Sequence, residues 1–290
     1  MKTVVFLTMD NLAGFECYDD LLIEPFNDLG WTVKKISWRK ENVDWNNYNA
    51  VIVRSTWDYQ SDSQKFLEVL KTINSSSAHL ENRFSILQWN MNKSYLYDLE
   101  QKGILIPDTI WEKSFSTERA IKYFDLLNSD EIIIKPNISG NADNTFRLKR
   151  RDLNSCLPLL QSIFGNRDYM VQPFMKNIID EGEYSLFYFG GKYSHAILKK
   201  PKENDFRVQE EHGGIIKLVK PTAEQLLQAE NILNKINPLP LYARIDFVRT
   251  PEDQFALMEL ELIEPSLYFN LDIESPKRFA EIFNKWMKDH

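Results

Sequence analysis

Residues 243–265 read ARIDFVRTPEDQFALMELELIEP, two apolar strands around a turn at Thr250-Pro251-Glu252-Asp253. Four of the charged side chains inside them decide the reading. Strand alternation puts Arg244 and Asp246 on one face of the first strand, and Glu259 and Glu261 on one face of the second. Antiparallel pairing brings the two sets into one patch. Ionised carboxylates are costly to bury unless they are paired or bound to a metal. Mg²⁺ prefers oxygen ligands and usually shares its coordination shell with phosphates, so Asp246, Glu259 and Glu261 are candidate ligands for a magnesium nucleotide. A buried ion-pair network, or a sheet face turned to water, is the alternative.

Upstream of this hairpin the chain changes character twice. The N-terminal third alternates strands (KTVVFLT, WTVKKISW, NAVIVRST) with helical patterns over Asp19–Leu29 and Ser63–Ile73. That order implies a parallel sheet with helices outside. Ligands of such sheets sit at the carboxyl ends of strands, which puts Arg54, Ser55, Thr56 and Asp58 at a binding edge, able to grip a carboxylate and an amino group. A turn with a helix cap explains the same residues without a ligand. The polar run 74–83 reads as a boundary. Beyond it come a helix carrying Lys93, the extended ILIPDTIW, a helix over Phe115–Leu127, the strand EIIIKP, a polar loop over 137–147 and the strand YMVQPF. EYSLFYFGGKYSHAILKKP reads as a hairpin turning at Gly190-Gly191. A polar segment, ENDFRVQEEHGG, precedes helices over Thr222–Asn234 and Phe279–Met287 that flank the charged strand pair.

Composition narrows the function classes. The chain has 290 residues, 43% hydrophobic and 13% aromatic, with a net charge of −7. It can build a core over about two domains, and a nucleic-acid surface is not expected. Two cysteines, Cys17 and Cys156, suit a reducing cytoplasm rather than a disulfide framework. No run of about 20 apolar residues is present, so no membrane partner is expected. His212 lacks metal-ligand spacing to His79, His195 or His290. Neither a Walker-type loop nor a dinucleotide fingerprint is present.

Lys135 ends a strand before a flexible loop, where an ammonium can hold phosphate as a point charge or simply meet water. Arg207 lies in a segment whose glycines permit close backbone approach to a phosphate.

In this order the parts resemble the ATP-grasp superfamily. Lys93, then Lys135 before a loop, then the hinge strand YMVQPF, resemble its nucleotide site; Arg244-x-Asp246 followed by Glu259-x-Glu261 resembles its magnesium site. Glu261 stands where that family usually has Asn, and the lid loop holds one glycine where several are common. The resemblance spans residues 86–275, and DFRVQEEHGG and RSTWDY are similar to the glutathione-synthetase-like branch with its O-ureidoserine cyclo-ligases. It implies an α/β (α+β) protein in three parts: an N-terminal parallel α/β substrate domain (1–85), a central lid subdomain (86–170) and a C-terminal α+β domain with an antiparallel sheet (171–290). It also implies an ATP-dependent ligase that turns a small-molecule, amino-acid-like carboxylate into an acylphosphate for attack by an amine or similar nucleophile, releasing ADP and phosphate. Lys93 and Lys135 would hold the α- and β-phosphates, and Ser139 and Gly140 would close over them. Arg244, with Arg207 as second candidate, would stabilise the transferring phosphoryl group. Main-chain groups of Pro173 and Phe174, with Gln172 nearby, would meet adenine, and Glu181 or Glu183 the ribose. Homodimers are frequent in that family. A non-catalytic nucleotide-binding protein and a magnesium-dependent phosphotransferase are the competing classes.

Overall fold

A computed structural model describes residues 2–203 and 205–289; Asn204, in the polar segment, and His290 lie outside the described residues. The N-terminal part runs β1 (Lys2–Thr8), α1 (Ile23–Asp28), β2 (Trp31–Ser37), β3 (Ala50–Ser55), α2 (Ser63–Asn74) and β4 (His79–Glu81). Its four strands are parallel in the order β2-β1-β3-β4. β3 is buried along its whole length, as a central strand covered on both faces must be. Two sequence expectations shift. The helix expected over Asp19–Leu29 divides into a 3-10 turn and α1, because Pro25 has no N–H to continue an α-helical ladder. The polar run 74–83 contains β4, too short for any periodicity to reveal.

The central part runs α3 (Phe84–Asn90), α4 (Tyr95–Glu100), β5 (Ile110–Glu112), α5 (Thr117–Leu126), β6 (Glu131–Pro136), β7 (Phe146–Lys149), α6 (Leu153–Phe164) and β8 (Tyr169–Pro173). Its strands form an antiparallel sheet in the order β5-β8-β6-β7. Lys93 is not on a helix, as expected, but in the turn between α3 and α4. α6 has no counterpart in the sequence reading; Pro158 inside it masks a helical pattern.

The C-terminal part runs α7 (Asn177–Asp180), β9 (Glu183–Phe189), β10 (Lys192–Lys200), β11 (Ile215–Val219), α8 (Ala223–Leu233), β12 (Tyr242–Arg249), β13 (Phe255–Glu261) and α9 (Ser275–Asp289). Five antiparallel strands follow the order β11-β10-β9-β12-β13. Gly190 and Gly191 both take positive φ, 53° and 74°, as a two-residue hairpin loop of matching twist requires. β13 is an edge strand, yet its outer edge is not left open. Asn90 donates to Leu260 O and accepts from Leu262 N, each at 2.8 Å, and the Tyr95 hydroxyl accepts from Leu260 N at 3.0 Å. Side chains around the α3–α4 turn thus do for β13 what a neighbouring strand would do.

The parts are tightly joined. α9 lays Phe283 against the first sheet, with ring centroids 5.0 Å from Phe26 and 4.9 Å from Trp31. The Tyr242 hydroxyl lies 2.9 Å from both Val53 O and Ile263 O. His195 is buried in this joint, stacked on Phe187 at 4.2 Å, with Nε2 3.0 Å from Leu267 O. Burial pushes its imidazole down to about 4. The unfolded chain therefore takes up a proton near pH 6.5 while the fold refuses it until about pH 4, and stability falls as pH drops through that window. The expected loss is roughly 3 kcal/mol at most. A His195→Gln variant, followed by denaturant unfolding from pH 7 to 4, should lose this part of the pH dependence; an unchanged slope would disprove the assignment.

Among the described residues no helix is long and apolar enough to cross a membrane.

Candidate active site

The charged strand pair faces a cleft between the two antiparallel sheets, closed at one end by the N-terminal part. Its register is not the one a simple hairpin would give. From the turn, Arg249 pairs with Phe255, Val248 with Ala256 and Phe247 with Leu257; then Met258 is passed over, so that Asp246 meets Glu259 and Arg244 meets Glu261. Without this bulge the acids of β13 would face away from Asp246. With it, carboxylate oxygens of Asp246, Glu259 and Glu261 lie within 4.8 Å of one another.

Four cations are interleaved with these acids. Arg244 donates to Asp246 through Nε at 3.1 Å and Nη2 at 3.0 Å, and to Glu261 through Nη2. Lys93 Nζ is 2.6 Å from Glu259. Lys199 Nζ lies 2.5 Å from Glu183 and 3.3 Å from Asp246. Lys135 lines the same cleft. The ion-pair network and the candidate metal ligands, posed as alternatives by the sequence, are therefore one set of residues. The electrostatics follow from the pairing. Burial would raise Asp246 and Glu259, but Arg244 and Lys199 hold the first below its ordinary range, and Lys93 and Lys135 the second. Burial, aided by Glu259 and Asp246 and opposed by Arg244, pushes Glu261 up to about 7. Burial lowers Lys135, with Lys93 adding to the effect and Glu259 opposing it.

Other expected site residues are distributed as follows. Lys93 Nζ also donates to Ser139 O at 2.9 Å, which ties the start of the 137–147 loop to the metal-ligand candidates. Ser139 and Gly140 line the cleft. Beyond them Asn141, Ala142 and Asn144 adopt φ of 49°, 57° and 51°, so non-glycine residues carry the left-handed turns. Phe174 lines the cleft, but its N–H already donates to Glu131 O at 2.8 Å. Pro173 pairs with Ile132 in the sheet, and Gln172 donates to Thr109 at 3.0 Å behind the strand. Ile133, Phe174, Ile178 and Met258 make an apolar slot beside Lys135. Of the two ribose candidates, Glu183 lines the cleft, whereas Glu181 is gripped by Arg249 at 2.8 Å and Tyr184 at 2.8 Å. Arg207 borders the cleft with Nη2 held by Asp205 at 2.8 Å.

The expected substrate edge is corrected. Arg54 is 1% exposed and spends its Nε and Nη2 on Asp19 and on Pro265 O. Asp58 accepts from Trp38 and Arg39, and Ser55 donates to Thr8. Neither these three nor Thr56 lines the cleft; Arg54 ties the N-terminal sheet to the C-terminal part, while Asp58 and Ser55 bond within the N-terminal part. Trp57, between them, does line it, stacked on Phe15 at 5.5 Å.

Sequence reasoning missed Lys199, Met258 and Glu264. Counting back from the Gly190-Gly191 turn sets Leu198, not Lys199, opposite Glu183. A bulge at Ser194 shifts the register by one and turns Lys199 inward.

Residues 4–82 match the family described as the N-terminal domain of D-cycloserine synthetase DcsG. The chain is 26% identical over 282 residues to the cycloserine biosynthesis protein DcsG of Streptomyces lavendulae, covering 92% of this chain and 93% of that protein. The crystal structure of D-cycloserine synthetase DcsG superposes with a TM-score of 0.87 at 22% identity over 98% of this chain and 99% of that one. The ATP-grasp ligase PsnB, solved with a variant precursor, Mg and ADP, gives 0.69 at 15% identity over 98% of each. The fold is the ATP-grasp fold.

Proposed function

We propose that this member of the ATP-grasp superfamily is an ATP-dependent ligase that activates a small carboxylic acid as its acylphosphate and passes the acyl group to an amine. The observation that carries the reading is the trio Asp246, Glu259 and Glu261, drawn within 4.8 Å at the wall of a cation-lined cleft. The donor set is all carboxylate oxygen, which suits Mg²⁺. Asp246, Glu259 and Glu261 would hold Mg²⁺, which would supply positive charge to offset that of the transferring phosphoryl group.

The chain's own residues then divide the work. Lys93 and Lys135 hold the α- and β-phosphates. The slot of Ile133, Phe174, Ile178 and Met258 takes adenine, with Pro173 and Phe174 offering carbonyls. Glu183, which lines the cleft paired with Lys199, takes the ribose rather than Glu181, which Arg249 and Tyr184 hold. A carboxylate oxygen of the substrate attacks the γ-phosphorus; the bond from phosphorus to the bridging oxygen breaks and ADP leaves. The amine nitrogen adds to the acyl carbon, the acyl C–O bond to phosphate breaks, and the nitrogen's proton leaves with the phosphate. Such transfers depend on positioning and charge neutralisation. Arg244, fixed by Asp246 and Glu261, stabilises the charge that develops, with Arg207 as a second donor once released from Asp205. Ser139, Gly140 and the loop after them exclude water, which would hydrolyse the acylphosphate. Kinship with a cycloserine biosynthesis protein supports a small-molecule acid.

The test is ADP release from Mg-ATP across a panel of amino acids and other small carboxylic acids, with and without added amines. Stimulation by one acid, absent from Glu259→Gln, is the expected result. ATP binding with silence across a broad panel would favour a non-catalytic role. Lys135→Ala should weaken ATP binding roughly 10- to 100-fold, the loss of one charge-assisted contact. Unchanged affinity by calorimetry would return Lys135 to a solvent-facing strand end.

A further inference from the structure

The backbone that follows β13 is held residue by residue. Ser266 O accepts from Arg244 Nη1 at 3.4 Å, Leu267 O lies 3.0 Å from His195 Nε2, and Tyr268 O accepts from the Leu271 N–H at 3.0 Å. Within this frame Tyr268 takes a φ of 46°. Left-handed backbone at a bulky residue is rare. It persists only where the surrounding structure dictates it, and such residues cluster at functional sites. The Tyr268 ring is packed against Phe187 and Tyr18, with centroids 6.3 and 6.4 Å away, and the residue is 6% exposed. It lines the cleft together with Ser266 and Arg244. Among the described residues its hydroxyl makes no hydrogen bond, although a buried phenol usually has a partner. Burial pushes its pKa up to about 12, with Lys199 and Arg244 opposing and Glu211 and Glu210 adding to the effect. At neutral pH the group is therefore a neutral donor, fixed in the cleft beside the arginine that faces the developing charge.

We propose that Tyr268 is a further catalytic residue, whose hydroxyl donates to the acyl oxygen while the amine adds to the acylphosphate. This rests on the ligase reading above. The nitrogen's electron pair forms the bond to the acyl carbon, and the π pair of the C=O moves onto the oxygen. That oxygen carries the new negative charge, and Tyr268 and Arg244 are the donors that meet it. When the C=O re-forms, the C–O bond to phosphate breaks, and phosphate leaves with the nitrogen's proton. A donor fixed in advance needs no reorganisation as the charge appears, and the held backbone supplies that fixity. During the earlier phosphoryl transfer the carboxylate loses charge rather than gaining it, so the hydroxyl acts on the second step.

The experiment separates the two steps in the full-length protein. The acid that stimulates ADP release is taken from the panel above, with hydroxylamine as the attacking amine and the hydroxamate as the product read. Tyr268→Phe keeps the ring and removes only the hydroxyl. Its turnover to hydroxamate should fall about 100-fold, the usual loss for one donor to a developing oxyanion. ADP formation in a single turnover, KM for ATP and the melting temperature should all match the wild type. Unchanged hydroxamate turnover would overturn the inference and leave the ligase reading standing. So would an equal slowing of ADP formation and hydroxamate formation, or a fall in melting temperature that accounts for the lost activity. No ADP release by the wild type with any acid would sink the ligase reading, and this role for Tyr268 with it.

Discussion

Glu259→Gln should lower turnover by about three orders of magnitude, since a metal site supplies several kcal/mol of transition-state stabilisation and each 1.36 kcal/mol is tenfold in rate. Two losses combine. The amide keeps one oxygen but not the charge, so the site for Mg²⁺ is weakened. The partner Lys93, 2.6 Å away, loses the anion it pairs with. ATP binding should survive in part, because Lys135, Lys199 and the apolar slot are untouched. The two readouts are single-turnover ADP formation and ATP affinity. Full turnover would show that Glu259 holds no metal. Loss of ATP binding together with a large fall in melting temperature would mean that the residue only balances Lys93.

Lys199→Met should produce the largest loss of stability among single changes in the cleft. Lys199 is 3% exposed and serves both Glu183 and Asp246. Removing one partner from a buried ionic cluster typically costs about 3–5 kcal/mol, because the charge left behind is uncompensated. In a chain of this size that corresponds to roughly 10 °C in melting temperature. The pH dependence carries a sign. Burial already raises Glu183 with Lys199 present; without it the carboxyl takes up a proton more readily. The deficit should therefore be greatest above neutral pH and shrink toward pH 5. Pairing the change with Glu183→Gln should recover a large part of the loss, since replacing both partners is close to neutral. A melting temperature unmoved by Lys199→Met would show that water already screens these charges.

Much of this architecture is legible in the order of residues. Alternating strand and helix patterns predict the parallel N-terminal sheet, Gly190-Gly191 the β9–β10 turn, and the runs EIIIKP and YMVQPF two strands; that these pair with each other in the central sheet only the structure shows. What escapes is local geometry that periodicity does not encode: a three-residue strand at His79–Glu81, a helix that accommodates Pro158, and a lysine in a turn rather than on a helix.

The residue types of the candidate site, three carboxylates and an arginine on two apolar strands, are readable from the sequence alone, because charge is rare in such strands and alternation groups it by face. Which faces meet is not readable. A side-chain period of two means that one passed-over residue inverts a strand, and two bulges do this here. Met258 turns Glu259 and Glu261 toward Asp246, and Ser194 turns Lys199 toward Glu183. The same limit explains Arg54. Its position at a strand end fits a ligand edge, but only the packed molecule brings Asp19 and Pro265 against it and leaves Glu264, on the next turn, facing the cleft.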